Sequence, residues 1–261
     1  MIQPLSFIHP EAKLSDSIMV DPFTTIHKNV EIGEGTWIGS NVTIMEGARI
    51  GSGCKIFPGA VISGIPQDLK FKGEDSIAII GNNTTIRECV TINRGTSDTG
   101  RTIIGNNCLI MAYSHIAHDC SIGDYCIFSN NSTLAGHIKI GNHVILAGLA
   151  AIHQNCTIGD YAFISGGSLV RKDVPPFVKA AREPLSYMGV NSIGLRRKGF
   201  VLKKIHEIQN IYRIIFQNKY NNAQAIRVIE AEMKATPERD EIIQFVSNSK
   251  RGIMKGYFQK N

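Results

Sequence analysis

An aliphatic side chain recurs every six residues along most of this chain, and that period limits the folds open to it more than any other feature. Positions 8, 14 and 20 are Ile, Leu and Val, and every sixth residue from 26 to 62 is Ile. The step resumes with Ile at 80, 86 and 92, and from 104 to 170 every sixth residue is Ile, Leu, Phe or Val. The residue two places earlier is usually small, as at Thr102, Cys108, Ser114, Cys120, Cys126 and Ser132. Side chains alternate faces along a strand, so anchor and small residue point the same way. Each unit of six is therefore a short strand plus a bend, and three units close a triangular coil. Coils of this kind stack at about the 4.8 Å of β pairing, giving a parallel β-helix of hexapeptide repeats. A glycine recurs once per coil at Gly105, Gly123, Gly141 and Gly159, where the bend is expected to need backbone freedom.

The period fails at 63–79 and at 95–101. Both stretches are polar and Gly-containing, so they read as loops thrown out from a rigid scaffold, where function often resides. Pro175 and Pro176 are expected to end the repeats. Beyond them the period becomes helical: Val201, Ile205, Ile208, Ile211, Tyr212 and Ile215 trace one face, then Ile226, Ile229 and Met233, then Ile242 to Val246. The expected organisation is a β-helix over 1–185 and a bundle of three or four helices over 191–261.

Charge follows the same division. Residues 1–190 carry a net −2 and residues 191–261 a net +8, within an overall +6. A basic C-terminal segment on a near-neutral body suggests an acidic partner such as a phosphate, an acidic protein or nucleic acid. The start, MIQPLSFIHPEAK, has no basic segment leading into an apolar run, and no stretch approaches the length of a membrane span. The expected location is the cytoplasm.

The register sorts the reactive side chains. Of six cysteines, Cys54, Cys108, Cys120, Cys126 and Cys156 fall on the small inward site and only Cys89 lies off it. They read as small hydrophobes, not as a disulfide or metal framework. In SHIAHDCSIGD, residues 114–124, Ser114, Ile116, Cys120 and Ile122 build the coil. His115, His118 and Asp119 are left over, facing outward or at a bend. Residues 18 apart lie on successive coils, which puts His118 beside Gly136 and Asp119 beside His137, with His153 and Gln154 on the next coil. Such a strip suits either a neutral imidazole acting as general base with backbone donors, or three imidazoles holding zinc.

The ordered motifs QDLK (67–70), NRGT (93–96), HIAHDC (115–120), LAGH (134–137), HQ (153–154), DVPP (173–176) and VNSIGLRRKGF (190–200) span nearly the whole chain. Together they resemble the UDP-N-acetylglucosamine acyltransferase family, which opens lipid A synthesis. The resemblance implies a left-handed β-helix, a homotrimer with active sites between subunits, and no cofactor or metal. It also implies transfer of a 3-hydroxyacyl chain, carried on the phosphopantetheine of acyl carrier protein, to the glucosamine 3-hydroxyl of UDP-N-acetylglucosamine. Acidic acyl carrier protein would match the basic C-terminal segment, with no role for nucleic acid.

Residue by residue, His118 matches the general base, the Gly136 N–H the oxyanion donor, and Asp119 the residue that orients the base. His137 matches a sugar contact, and Asp68 and Lys70 match substrate-contacting loop positions. His115 belongs to the same matching motif and is expected on the substrate side. His153, Gln154, Asn191, Arg197 and Lys198 match nucleotide and diphosphate contacts. Phe163, Gly166 and Gly167 fall where the acyl chain length is measured. Three positions depart from the family pattern: Asn93 replaces a His, Asn155 a Phe and Lys198 an Arg. The competing readings are a zinc lyase with His118, His137 and His153 as ligands, an acyltransferase with another acceptor, and a scaffold without activity.

Overall fold

The computed structural model describes residues 1–218 and 220–256, so the last five residues of the expected helical segment lie outside the described residues. Short parallel strands form three faces of a prism. Sheet one has nine strands, from Phe7–Ile8 to Leu169–Val170, and sheet two has eight, from Lys13–Leu14 to Thr157–Ile158. Sheet three has eleven, beginning at Met19–Val20. Successive strands visit the three sheets in rotation, as the period requires. The anchor isoleucines fill the interior: Ile26, Ile38, Ile44, Ile56, Ile62, Ile86, Ile110 and Ile116 are fully buried. The inward cysteines are buried with them and Cys89 is exposed.

The bends work differently from the expectation. Gly105, Gly123, Gly141 and Gly159 do not have positive φ; the left-handed residue comes two places later, at Asn107, Tyr125, His143 and Tyr161. What these glycines supply is close stacking. A β-carbon on Gly123 would meet the Gly141 carbonyl carbon at 2.8 Å, and one on Gly105 would meet that of Gly123 at 2.6 Å. The column is glycine because each corner rests directly on the next.

The first interruption is shorter than the failed period suggested, and the second keeps its length but begins one residue earlier. Strands Val61–Gly64 and Ile77–Ile80 bound a loop over 65–76, and strands Thr91–Asn93 and Arg101–Ile104 bound a loop over 94–100. The strands run on because Ile77–Ile80 pairs with Arg101–Ile104 over four residues, beyond the two of a normal unit. Each loop leaves sheet one and re-enters at sheet two, so both emerge from the same edge of the prism.

The prolines do not end the coil. Val174 bridges Ile158, and Val178–Ala181 pairs in parallel with Phe163–Ile164. Pro175 and Pro176 sit in the corner, where a missing N–H removes no ladder bond. Ser186–Val190 then turns back antiparallel. Among the described residues four helices follow: α1 (Ser192–Arg197), α2 (Leu202–Gln217), α3 (Asn222–Glu232) and α4 (Pro237–Asn248). Val201 is an exposed cap, not part of the buried α2 face, which comprises Ile205, Ile208, Ile211, Tyr212, Ile215 and Phe216. The segment is not wholly helical, since Lys255–Gly256 returns as a strand on Ser186–Val190. No helix among the described residues is long and apolar enough to cross a membrane.

Candidate active site

The edge that throws out both loops also carries His118, Asp119, Gly136 and His137, because all four lie in bends between sheet one and sheet two. Together they enclose a cleft of about 900 Å³ whose walls include Asp68, Lys70, Asp98, His118, His137 and Gln154.

His118 Nδ1 lies 2.7 Å from Asp119 Oδ2. Its ring presses on Gly136, where a β-carbon would come within 2.6 Å of Cε1 and 2.7 Å of Nε2. The His118 and His137 rings meet edge to face with centroids 5.0 Å apart. Stacking alone set Asp119 beside His137, yet that separation is 3.9 Å, so its short bond goes to His118. The reason is the left-handed backbone at Asp119 (φ 59°), which swings the carboxylate back toward its neighbour in sequence.

The Asp119 side chain has no exposed surface. Burial pushes its carboxyl up, but hydrogen bonds from Thr99, Thr96 and His118 outweigh burial and hold it below the ordinary aspartate range. An ionised carboxylate only accepts, so the hydrogen of the 2.7 Å contact sits on His118 Nδ1. The Nε2 lone pair is thereby presented to the cleft, with Asp68 Oδ2 at 3.9 Å. Ala135 N–H donates to Ile152 and His137 N–H to His118, whereas the Gly136 N–H between them has no hydrogen-bond partner among the described residues. A proton acceptor and an unused backbone donor thus stand side by side, as base-catalysed acyl transfer requires.

The remaining expected residues divide by edge. Lys70 is exposed, its N–H bonded to Asp68 Oδ1 at 2.9 Å, and Gln154 reaches the cleft. His115 is half-buried on sheet one, with Nδ1 2.7 Å from Thr91 Oγ1. Burial lowers its pKa, and the His118 imidazole beside it disfavours a second positive charge. His153 does not join the cleft; its Nδ1 lies 3.3 Å from Arg251 Nη2. The zinc ligand set His118, His137 and His153 is therefore not assembled. Among the described residues, the donor atoms that come within 4.8 Å of one another belong to His118, Asp119 and His137.

Asn191, Arg197 and Lys198 stand off a different edge, between sheets two and three. Asn191 caps α1 and donates to the Tyr161 carbonyl at 3.0 Å, and Lys198 Nζ lies 5.7 Å over the Tyr125 ring. Gly166 and Gly167 occupy the third edge, and Phe163 lies on sheet three between Ile145 and Lys179. Of the departures, Asn93 is buried and ties the base of the first loop by donating to the Ile65 carbonyl at 3.1 Å. Asn155 lines the cleft at φ 61°, a backbone region Asn tolerates well.

Sequence reasoning missed Thr96, Asp98 and Thr99. Asp98 Oδ2 lies 3.2 Å from His137 Nδ1, and both threonines bond Asp119. The available signal was that 95–101 interrupts the same bend as 63–79, three units apart in the rotation.

Comparison with known proteins adds the remaining evidence. Residues 173–254 match the second domain of the UDP-N-acetylglucosamine O-acyltransferase family model, and 29–64 and 101–136 match bacterial transferase hexapeptide repeats. The acyl-[acyl-carrier-protein]–UDP-N-acetylglucosamine O-acyltransferase of Thermodesulfovibrio yellowstonii is 42% identical over 97% of this chain and 99% of its own. That of Xylella fastidiosa is 42% identical over 98% of each. The crystal structure of the UDP-N-acetylglucosamine acyltransferase of Bacteroides fragilis superposes with a TM-score of 0.97 at 50% identity, covering 98% of this chain and 100% of that one.

Proposed function

The chain belongs to the UDP-N-acetylglucosamine O-acyltransferase family, and on that premise we propose that it performs the first step of lipid A biosynthesis. It transfers a 3-hydroxyacyl chain from acyl carrier protein to the glucosamine 3-hydroxyl of UDP-N-acetylglucosamine. The observation that carries this reading is the His118 Nε2 lone pair, aimed into the cleft by the 2.7 Å bond from Nδ1 to buried Asp119.

In the step proposed, His118 Nε2 takes the proton of the acceptor hydroxyl as its oxygen attacks the thioester carbonyl. The resulting oxyanion accepts from the Gly136 N–H, a donation typically worth on the order of 10²–10³ in rate. Collapse expels the phosphopantetheine thiolate, which recovers the proton from His118. The acyl group arrives on its carrier, so the chemistry needs no resident cofactor or metal. His137, Asp68 and Lys70 contact the sugar and its substituents from the cleft walls. His153, Gln154, Asn191, Arg197 and Lys198 bind the nucleotide and diphosphate, and Phe163, Gly166 and Gly167 limit the acyl chain.

The cleft, the Asn191 and Lys198 pair, and Gly166 with Gly167 lie at three different edges of one prism, which supports a trimer in which one protomer's edge faces another's cleft. The basic C-terminal segment suits docking of acidic acyl carrier protein in the cytoplasm. The test is turnover of UDP-N-acetylglucosamine with a panel of 3-hydroxyacyl carrier-protein thioesters, with product mass read for each chain length. Acylation at the sugar 3-oxygen is expected; an active protein that transfers acyl groups only to another acceptor would contradict the reading.

A further inference from the structure

Asp119 receives more hydrogen bonds than any orienting role toward His118 alone would require, and most of them come from one loop. The Thr96 N–H lies 3.1 and 3.2 Å from the two carboxylate oxygens, and Thr96 Oγ1 donates to Oδ2 at 2.7 Å. The Thr99 N–H reaches Oδ1 at 3.3 Å and its hydroxyl donates to the same oxygen. These donors all belong to the loop over 94–100, an insertion that the coil does not need for its own closure. The loop is itself fixed, since Glu74 of the other insertion accepts from the Ser97 N–H at 3.0 Å.

We propose, building on the acyl-transfer reading above, that Thr96 and Thr99 are positioning residues that keep buried Asp119 ionised and thereby set the tautomer of the His118 base. The logic is a choice between two proton arrangements. With Asp119 anionic, His118 carries its hydrogen on Nδ1 and offers Nε2 to the substrate. If Asp119 took up a proton from solvent it would instead donate to Nδ1, leaving the imidazole hydrogen on Nε2 and removing the base. Burial favours the second arrangement and the threonine donors favour the first. Thr96 lines the cleft, but the hydroxyls of both threonines are directed at the Asp119 carboxylate, and it is through Asp119 that they act.

The experiment compares Thr99→Val, Thr96→Val and the double variant with the serine versions, which keep the hydroxyls. Thr99 is exposed, so its valine variant is expected to fold even where Thr96→Val does not. Turnover should fall by at least about tenfold, a fraction of the 10²–10⁴ that a general base contributes. KM for UDP-N-acetylglucosamine should stay within about twofold, the acidic limb of kcat should move to higher pH, and serine should restore both. Histidine-selective ¹⁵N NMR supplies a readout independent of substrate: Nδ1-protonated His118 in the native protein, shifting toward Nε2-protonated in the valine variants. A wild-type tautomer and pH profile in Thr99→Val would overturn the proposal, as would a loss confined to KM. A native protein inactive on UDP-N-acetylglucosamine would contradict the functional reading alone, and the NMR result would still decide this one.

Discussion

The His118 ring lies flush against Gly136, so close that a β-carbon there would sit 2.6 Å from Cε1. Gly136 has no positive φ, so its glycine answers the imidazole and not the backbone. Gly136→Ala should therefore leave the coil folded but push the ring off its line. A misplacement of about 1 Å in a catalytic group can cost on the order of 10² in rate. The expected result is a loss of that size in kcat with circular dichroism unchanged; near-native turnover would show that the ring has room.

The helical segment is tied to the prism by a specific bond. Tyr212 is fully buried on α2, and its hydroxyl donates to the Pro176 carbonyl at 2.6 Å. Tyr212→Phe leaves that carbonyl buried without the donor, a loss of about 1–3 kcal/mol. Urea titration should show a lower midpoint at unchanged slope, and an unaltered midpoint would mean the bond contributes nothing net.

Much of this arrangement was legible in the sequence, for a physical reason. A strict period of six leaves one way to bury the anchors, so the coil, the inward cysteines and the outward His118 followed from counting alone. Stacking also placed His118 beside Gly136. It could not place Asp119, whose left-handed backbone turns the carboxylate toward His118 and away from His137. Nor could periodicity reach Thr96, Asp98 and Thr99, because a loop departs from the register that makes counting informative. The glycine column was found for the wrong reason, since its cause is contact between coils and contacts have no period of their own.

A carboxylate away from the cleft gives the protein a pH signature. Glu241 on α4 borders a hollow of about 990 Å³ against sheet two, with Lys250 and Arg251 also on its walls. Burial, then the charges of Asp160 and Glu238, raise its pKa to about 7, although Glu238 is itself paired with Lys204 at 2.8 Å. A carboxyl with a folded pKa above its unfolded value binds protons more tightly when folded. Its contribution to stability is thus full at low pH and is lost as pH rises from its ordinary value of about 4.5 through about 7. The melting temperature of Glu241→Gln should fall less than that of the native protein across this window. Parallel curves for the two proteins would refute the assignment.

The central claim is that His118 Nε2 removes the proton from the acceptor hydroxyl. The measurement that tests it most directly is kcat for His118→Ala with UDP-N-acetylglucosamine and its preferred 3-hydroxyacyl carrier-protein thioester. His118 makes no contact that the coil needs, so the variant should fold, assemble and bind the nucleotide sugar as the native protein does. Its kcat should drop by about 10²–10⁴, the usual contribution of a positioned base. Turnover within a few fold of native, in a folded and assembled variant, would contradict the account.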